Sequence, residues 1–592
     1  MVLAARVRLL RLLGPAGRLL VAALVGLQLV GAAVPTVRAV AVGWLVAVFG
    51  RGEFDRRAVT AAALVALLFF VDQLVWLVLA AVQGRVVKRV DGRLRAGLRT
   101  LAVGLPGLDR LESRGFQDRA ARAVDAGMGI ARERSAGSAA TGQLTLIFRL
   151  VSALAAAALL ATFSPPLAAG LLGVSLAVRA MIRRQWLGII DVLDADTAGQ
   201  RLEYYVSEQA VIGAAKDVRL FGLSDWFGGR FRAATTRAYA PVFREMLGVI
   251  RRQWWTLLLV SGSAVAALAV PAAAVLNGSL DPAQLITYVL AGWGVMAISS
   301  MGLEAYDIEY GLRGVQAADE LAAWPSPATT GRDPGERPTI RFEDVTFTYP
   351  GAERPVLDRL SLTLRPGETV AIVGENGAGK TTLVKLLGGL YRPDSGRVTV
   401  DGADLAELDP AAWRRRLAVL FQDFVRYPAS LRENVTAAAP EAGDDDAVRA
   451  ALARAGGSGL IDDAAGGLDR LLWSEGADGT DLSGGQWQRV ALARALFAAG
   501  AGRGVLVLDE PTAHLDVRAE AEFHERVVSR VHDTTTVLIS HRLSTVRPAD
   551  RIILLRDGRV AEDGSHDELI ALGGDYARFF RVQAEAFRGD GR

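Results

Sequence analysis

Six segments in the first half of the sequence are apolar over about the length that a helix needs to cross a lipid bilayer. Such a helix takes about 20 predominantly apolar residues. The six segments are Gly17–Val48, Ala58–Ala81, Gly142–Phe163, Leu167–Met181, Trp254–Leu276 and Ala283–Met301. The fourth is short by itself, so we expect its helix to continue into the cytoplasm beyond Met181. The pattern predicts an all-α membrane domain with six transmembrane helices.

The composition favours a membrane part joined to a soluble part. Of 592 residues 51% are hydrophobic, and the apolar excess lies mostly in the first half. The formal net charge is only +3, so charge gives no reason to expect a nucleic-acid partner. The sequence contains no cysteine, which excludes disulfide bonds, thiolate metal ligands and a cysteine nucleophile.

The long connections between the apolar segments predict the orientation in the membrane. The connections after the second and fourth segments, 84–134 and 183–252, are rich in arginine. Arginine-rich connections stay on the cytoplasmic side, which places both termini in the cytoplasm. We therefore expect a multi-pass protein of the cytoplasmic (inner) membrane whose C-terminal half lies in the cytoplasm. The basic start of the sequence is interpreted as the flank of the first membrane helix rather than as a cleaved signal peptide.

Each long connection has helical periodicity and contains one short segment that could cap a helical extension. These segments are Leu108–Ala123 and Val218–Phe231. One interpretation is that they cap membrane helices that extend far into the cytoplasm. The other is a solvated amphipathic hairpin, and the sequence alone leaves both open.

The segment after the sixth apolar stretch marks a domain boundary. Trp324–Pro338 reads WPSPATTGRDPGERP, which is dense in proline and glycine and lacks apolar periodicity. We therefore predict a transmembrane domain at 1–323, a linker at 324–339 and a nucleotide-binding domain at 340–592.

A phosphate-binding loop follows the apolar strand ETVAIVG in the second half. The loop and the start of the next helix comprise Gly374, Glu375, Asn376, Gly377, Ala378, Gly379, Lys380, Thr381 and Thr382. They match G-x-x-x-x-G-K-[ST] in the strand–loop–helix context that this motif requires. Backbone N–H groups of such a loop surround phosphates, which also lie at the positive end of the helix dipole. We expect Lys380 to contact the β- and γ-phosphates of ATP and Thr381 to bind Mg²⁺.

Two acidic residues end a second apolar strand, GVLVLDEPT. Buried parallel strands have such continuous apolar sequences, and their carboxyl ends face the ligand crevice. We expect Asp509 to hold Mg²⁺ and Glu510 to polarise the water that attacks the γ-phosphate.

The motif LSGGQ at Leu482–Gln486, followed by WQRVALARAL, resembles the signature of ATP-binding cassette (ABC) proteins. This resemblance implies that Tyr349 stacks on adenine, Gln422 contacts Mg²⁺ and senses the membrane domain, and His541 grips the γ-phosphate. Asp516, in the segment AHLD, resembles the loop that crosses to a partner cassette. The catalytic residues are then Glu510, His541, Lys380 and Gln422, and the Mg²⁺ ligands are Thr381, Gln422 and Asp509.

The resemblance also implies a dimer. In this family two cassettes close head to tail, so each ATP lies between the phosphate loop of one chain and the signature of the other. The signature residues are Ser483, Gly484, Gly485 and Gln486. A serine–glycine–glycine turn that opens a helix offers N–H donors to an anion. Since every catalytic motif is intact, a homodimer is favoured, and a related half-transporter is the alternative partner.

Two segments depart from the family pattern. Ser474–Asp481, which reads SEGADGTD, lacks the Gly-Glu-Arg-Gly found in multidrug-type members, so cross-talk through it is less expected. His514 stands where alanine is usual in the crossing loop, and nothing in the sequence explains it.

Taken over the whole chain, the sequence resembles an exporter-type ABC half-transporter. The implied fold is an all-α six-helix transmembrane domain followed by an α/β P-loop ATPase domain with a helical subdomain. The implied function is export of an amphipathic small molecule or peptide by alternating access coupled to ATP hydrolysis. Import of a siderophore-like ligand, lipid flipping and an ATP-gated channel or regulator are the alternatives. Intact Glu510 and His541 argue against the channel, because a gate needs ATP binding more than repeated hydrolysis.

Charged residues within the apolar segments are costly in a bilayer and are usually paired or functional. They include Asp72 in the second segment, Arg149 in the third and Arg38 near the outer end of the first. We favour ion pairs between helices. The alternative is that Asp72 faces a cavity and attracts a cationic substrate.

Overall fold

A computed structural model of the chain describes residues 2–50, 56–124, 135–195, 202, 205–206, 214–300, 302–324, 333–462, 466–473, 481–512 and 534–589. The chain divides into two compact units. The N-terminal unit comprises 1–104 and 114–324, and the C-terminal unit comprises 105–113 and 325–592.

The described part of the N-terminal unit is helical. Its helices are α1 (Val2–Arg11), α2 (Arg18–Gly50), α3 (Arg56–Gly104), α4 (Arg114–Val124), α5 (Ala136–Ala161), α6 (Pro165–Ala195), α7 (Ala215–Leu220), α8 (Ser224–Arg252), α9 (Trp254–Leu276), α10 (Pro282–Met296) and α11 (Leu303–Ala322). Six stretches in the described residues are long and apolar enough to cross a membrane: α2, α3, α5, α6, α9 and the run from α10 to α11. They overlap the six predicted segments, so the predicted six-helix membrane domain is confirmed.

Several helices continue well past the apolar segments that the sequence marks. Helix α3 has 49 residues, so at 1.5 Å per residue it is about 74 Å long, more than twice the thickness of a hydrocarbon core. Helix α6 runs to Ala195, which confirms the expected continuation beyond Met181. The predicted capping segment Val218–Phe231 includes the turn between α7 and α8.

An ion pair joins the first two membrane helices. Arg38 on α2 donates to Asp72 on α3 at 2.8 Å, and the Arg38 guanidinium also lies over the ring of Phe69. The interpretation of Asp72 as half of a pair between helices is therefore confirmed. The pair neutralises the carboxylate, which leaves it less charge with which to attract a cation.

Arg149 pairs with a residue that the sequence does not single out. Its guanidinium donates to the carboxylate of Glu304 at the start of α11, and to the hydroxyl of Ser300 at 2.9 Å. Glu304 lies just beyond the predicted sixth segment, and no periodicity links it to α5. The pair could be found only once the helices were assembled.

Two sheets form the framework of the C-terminal unit. Its strands are β1 (Ile340–Phe347), β2 (Leu357–Leu364), β3 (Thr369–Gly374), β4 (Ser395–Val400), β5 (Ala403–Asp404), β6 (Leu417–Leu420), β7 (Val505–Asp509), β8 (Thr535–Ile539), β9 (Arg551–Arg556) and β10 (Arg559–Gly564). The first sheet is antiparallel, in the order β2-β1-β4-β5. The second has the order β10-β9-β3-β8-β7-β6 and is parallel except for β10. Its parallel strands all end at one edge, which brings the segments that follow β3, β6, β7 and β8 together.

Helices cover the parallel sheet and form a separate layer. They are α12 (Lys380–Leu387), α13 (Pro410–Arg414), α14 (Leu431–Thr436), α15 (Asp445–Arg454), α16 (Gly459–Asp462), α17 (Gly484–Gly500), α18 (Leu543–Val546), α19 (His566–Leu572) and α20 (Asp575–Gly589). Helices α14 and α15 pack against α17, where Arg494 donates to the backbone carbonyl and the side-chain oxygen of the fully buried Asn434 at 2.7 and 3.0 Å. The predicted α/β domain with a helical subdomain is therefore confirmed.

The segment 105–113, between α3 and α4, belongs to the C-terminal unit. The backbone N–H of Leu108 donates to the carbonyl of Leu390 at 2.8 Å, and the hydroxyl of Tyr391 donates to the carboxylate of Glu112. Burial, together with this carboxylate, raises the pKa of Tyr391 above its usual value. Only the first part of the predicted capping segment Leu108–Ala123 lies here, because residues from Arg114 onward form α4 of the N-terminal unit.

Replacement of Asp72 by asparagine tests the pair with Arg38. A charge left without its partner costs about 1–3 kcal/mol or more, so Asp72→Asn should lower the apparent melting temperature of the detergent-purified protein. The melting temperature of the double variant Arg38→Gln, Asp72→Asn should fall by less than the sum of the decreases in the two single variants, because no charge is left unpaired. A strictly additive loss would contradict the pair.

Candidate nucleotide site

The phosphate loop lies between the end of β3 and the start of α12. Gly374, Gly377 and Gly379 have φ values of 155°, 87° and 97°, so they curl the chain in a way that other residues resist. At Gly379 a Cβ would also lie only 2.5 Å from the side chain of Leu357. The helix that follows begins at Lys380, so its N-terminal N–H groups face the loop. The loop predicted from the sequence therefore has the backbone shape of an anion cradle.

Lys380 folds back over this loop. Its buried ammonium group donates to the carbonyls of Gly374 and Glu375, both at 2.8 Å. Burial lowers the pKa of Lys380, while the carboxylates of Glu510 and Asp509 oppose that shift. The ammonium group thus lies where the loop would hold phosphates, bonded only to neutral carbonyl oxygens that an anion can replace.

Asp509 and Thr381 meet across the sheet edge. The carboxylate ends β7 and is 2% exposed, and the Thr381 hydroxyl on α12 donates to it at 2.9 Å. Burial raises the pKa of Asp509, and the charge of Glu510 adds to that effect; the Thr381 hydroxyl and Lys380 oppose it. A carboxylate and a hydroxyl at this distance are hard oxygen donors of the kind that Mg²⁺ takes. The residues present therefore fit a magnesium site.

Glu510 is held by its backbone in a left-handed conformation, with φ of 51°. Its N–H donates to the carbonyl of Ile539 at the end of β8 at 2.9 Å, and its carbonyl accepts from Gln488 on α17 at 3.1 Å. Non-glycine residues seldom adopt this conformation, and those that do often lie at functional sites. The strained backbone lifts the side chain away from β7.

The carboxylate of Glu510 contacts two of the other predicted catalytic residues. Gln422, just after β6, donates from Nε2 to Oε2 at 3.1 Å. His541, just after β8, has Nδ1 3.3 Å from Oε1. The ends of three neighbouring strands thus orient one carboxylate, which faces the same edge as the phosphate loop.

Gln488 was missed by the sequence reasoning. It is buried on α17, and its amide also donates to the carbonyl of Pro511 at 2.8 Å. It ties the signature helix to the strand end that carries Glu510. Its position six residues after the start of LSGGQ was visible in the sequence, but nothing there indicates which carbonyls it meets.

Tyr349 lies beside the phosphate loop. Its hydroxyl is 3.1 Å from that of Thr382, and its half-buried ring meets Phe347 and Tyr391 edge-on. The ammonium group of Lys385 is 5.2 Å from the ring centroid. The ring is therefore fixed next to the loop, and its stacking on adenine stays a prediction.

The signature residues open α17. The Ser483 hydroxyl accepts from the N–H of Gln486 at 3.3 Å, and the Gln486 side chain accepts from the N–H of Ser483 at 2.9 Å. The exposed Gly484 and the half-buried Gly485 complete this first turn. Among the hydrogen bonds and ion pairs of the described residues, none joins this turn to the phosphate loop. Within the described residues, the phosphate loop and the signature turn are therefore both formed in one chain without a hydrogen bond or ion pair between them.

Some predicted features fall outside the described residues. These are Asp516 and His514 of the crossing loop and all of the SEGADGTD segment except its last residue. That residue, Asp481, accepts from the Trp487 indole at 2.9 Å and from the N–H of Leu482 at 2.8 Å. These two bonds lower the pKa of Asp481.

Comparison with known proteins agrees with this geometry. Residues 357–513 match the family model described as ABC transporter. The mycobactin import ATP-binding/permease protein IrtB of Mycolicibacterium thermoresistibile is 44% identical over 43% of this chain and 42% of its own length. The alignment thus spans less than half of that relative. The ATP-dependent lipid A-core flippase of Burkholderia orbicola is 35% identical over 65% of this chain and 64% of its own length.

A solved structure extends the likeness to nearly the whole chain. A bacterial Atm1-family ABC exporter with ATP bound superimposes with a TM-score of 0.72 and 25% identity, covering 96% of this chain and 98% of that one. The matched ABC domain implies that the chain binds ATP, and the six apolar helices indicate a multi-pass membrane protein. Residues 357–513 are thus an ABC transporter ATPase domain, and with the six apolar helices before it the chain has the architecture of exporter-type ABC half-transporters.

Proposed function

We propose that this chain forms a homodimeric transporter in the cytoplasmic membrane that uses ATP hydrolysis to export an amphipathic small molecule or peptide. In this proposal 1–323 form the transport domain, 324–339 the linker and 340–592 the cytoplasmic ATPase domain. One observation carries it: Lys380, Thr381, Asp509 and Glu510 converge at one sheet edge of a chain that also has six membrane helices.

ATP binding begins at the phosphate loop. Its N–H groups and the start of α12 receive the phosphates, and Lys380 exchanges its two carbonyl partners for phosphate oxygens. Thr381 and Asp509 hold Mg²⁺, with Gln422 as the third predicted ligand; the ion neutralises phosphate charge when bound. Tyr349 stacks on the adenine from beside the loop.

Hydrolysis depends on Glu510. Its carboxylate orients and polarises a water molecule, whose oxygen attacks the γ-phosphorus while the bond to the β-phosphate oxygen breaks. ADP and inorganic phosphate are the products. Gln422 and His541 hold the carboxylate in place, and His541 also reaches the γ-phosphate.

A second copy of the chain completes each site. Ser483 at the start of α17 is exposed, and no hydrogen bond or ion pair joins its turn to the phosphate loop of its own chain within the described residues. Since one chain carries both halves intact, two copies supply two complete sites. A related half-transporter would serve as partner in the same way.

Coupling to transport runs through the segment 105–113. Its contacts with Leu390 and Tyr391 lie one helix away from the phosphate loop, because α12 connects the two. A shift of α12 on ATP binding would therefore move the chain between α3 and α4. In this way a movement of α12 would be passed on to α3 and α4.

Import is the second candidate, because the IrtB relative at 44% identity is named for mycobactin import. That likeness covers less than half of either chain. The two functions differ in the direction of cargo movement.

The direction of cargo transport can be measured in proteoliposomes. ATP added outside the vesicles is available only to those protein molecules whose ATPase domain faces outward. Export from the cytoplasm should appear as ATP-dependent uptake of an amphipathic cargo into these vesicles. ATP-dependent release of preloaded cargo would contradict export and favour import. A panel of amphipathic peptides, lipids and a mycobactin-type siderophore identifies the cargo class.

Glu510→Gln should abolish turnover without preventing ATP binding. A general base contributes about 10²–10⁴-fold, so the steady-state ATPase rate should fall by that factor while radiolabelled ATP stays bound to the dimer. Gln488→Met, which leaves the Glu510 side chain in place, is the matched control. Its ATPase rate should fall less than that of Glu510→Gln. A Glu510→Gln variant that hydrolyses ATP at the normal rate would remove this residue from the chemistry.

Complementation between two inactive chains tests the shared site. In a mixed dimer of Lys380→Ala and Ser483→Arg chains, one site combines an intact phosphate loop with an intact signature. We therefore expect coexpression of the two chains to restore ATPase activity that neither variant shows alone. If each site were formed within one chain, the mixture would stay inactive.

A further inference from the structure

A cavity of about 320 Å³ in the N-terminal unit is lined by an excess of arginine. Arg6 comes from α1, and Arg179, Arg183 and Arg184 come from α6. The one acidic residue in the lining is Glu309 on α11. Leu146, Leu176, Ala305 and Ile308 form an apolar wall.

Glu304 and Glu309, the carboxylates that contact these arginines in the described residues, already form ion pairs. Arg183 donates to Glu309 from Nε at 3.0 Å. Arg179 lies 3.5 Å from Glu304, which also pairs with Arg149, and it donates to the carbonyls of Ile298 and Ser300 at 3.1 Å. Among the residues described by these contacts and the cavity lining, two carboxylates thus face five guanidinium groups. The cavity keeps a net positive charge.

Arg6 is the least satisfied member of this group. Its Nε is buried without a hydrogen-bond partner, and no ion pair to it is found among the described residues. Burial lowers the pKa of Arg6 and the charge of Arg183 lowers it further, while the carboxylate of Glu309, which pairs with Arg183, opposes the shift. A guanidinium group stays charged at any physiological pH, so this site favours an anion that supplies the missing acceptor.

The depth of the cavity matches the position of lipid headgroups. Arg179 and Arg183 lie about 21 and 27 Å along α6 from Pro165, at 1.5 Å per residue, and the hydrocarbon core is about 30 Å thick. The arginines are therefore near the end of the membrane-spanning part of α6, where phosphates of one leaflet lie.

We propose that this cavity binds the phosphate group of an anionic lipid, with Arg6 and Arg184 as its main donors. Arginine pairs readily with phosphate through two parallel N–H donors. The apolar wall takes the first part of an acyl chain, which distinguishes a lipid from free phosphate. This site lies beyond the transport function proposed above and does not depend on it, because the lipid binds without ATP.

Native mass spectrometry of the full chain in neutral detergent, titrated with phosphatidylglycerol in the absence of nucleotide, tests the site. Loss of a charge-assisted hydrogen bond weakens binding roughly tenfold, so Arg6→Gln should bind the lipid about that much less tightly. Arg6→Lys keeps the charge, so its affinity for the lipid should lie between those of wild type and Arg6→Gln. Arg11→Gln is the matched control, because Arg11 is exposed on the same helix and does not line the cavity.

The competing source of phosphate is tested in the same titration. Displacement of the lipid by millimolar inorganic phosphate would overturn the lipid proposal and leave free phosphate as the occupant of the cavity. Resistance to phosphate would support the lipid itself. Should Arg6→Gln fail to fold, as judged by gel filtration, the exposed Arg184→Gln carries the test. Equal binding by wild type and Arg184→Gln or Arg6→Gln, or an equal loss in Arg11→Gln, would overturn the proposal.

Discussion

The hydrogen bond between Thr381 and Asp509 depends on the order of the strands in the parallel sheet. The two residues are separated by more than a hundred positions, and they meet only because β3 and β7 end at the same edge of the parallel sheet. Burial of the whole of β7 and β8 keeps that edge in register. Because the carboxylate is also buried, it needs a partner, and the hydroxyl of Thr381 and the charge of Lys380 provide it. The same edge then orients Glu510 between Gln422 and His541.

The sequence predicts those parts of this arrangement that depend on residues close together in the chain. The phosphate loop has its strand, glycines, lysine and helix within one short run, so its shape follows from local rules. The apolar segments likewise predict the membrane helices, since a span is a local property of about 20 residues. By contrast, the pairing of Arg149 with Glu304 and the contact of Gln488 with Glu510 depend on helices that pack from distant parts of the chain. No spacing in the sequence records those contacts.

Several charges of the N-terminal unit are paired between helices in the described residues. Arg38 and Asp72 neutralise each other, and Arg149, Arg179 and Arg183 all find carboxylates on neighbouring helices. Such pairing is what a low-dielectric surrounding demands. The Nε atom of Arg6 is buried without a hydrogen-bond partner, and the nearby Glu309 already pairs with Arg183, which is the basis of the proposed lipid site.

The position of the segment 105–113 has a consequence for how such chains are recombined. A chimera made by cutting at the linker would replace the ATPase domain with that of a relative and keep the original segment 105–113. Yet Glu112 and Leu108 pack on Tyr391 and Leu390, so a transplanted ATPase domain would meet a loop fitted to another surface. A working chimera has to carry this loop along with its ATPase domain, although more than two hundred residues of sequence separate them.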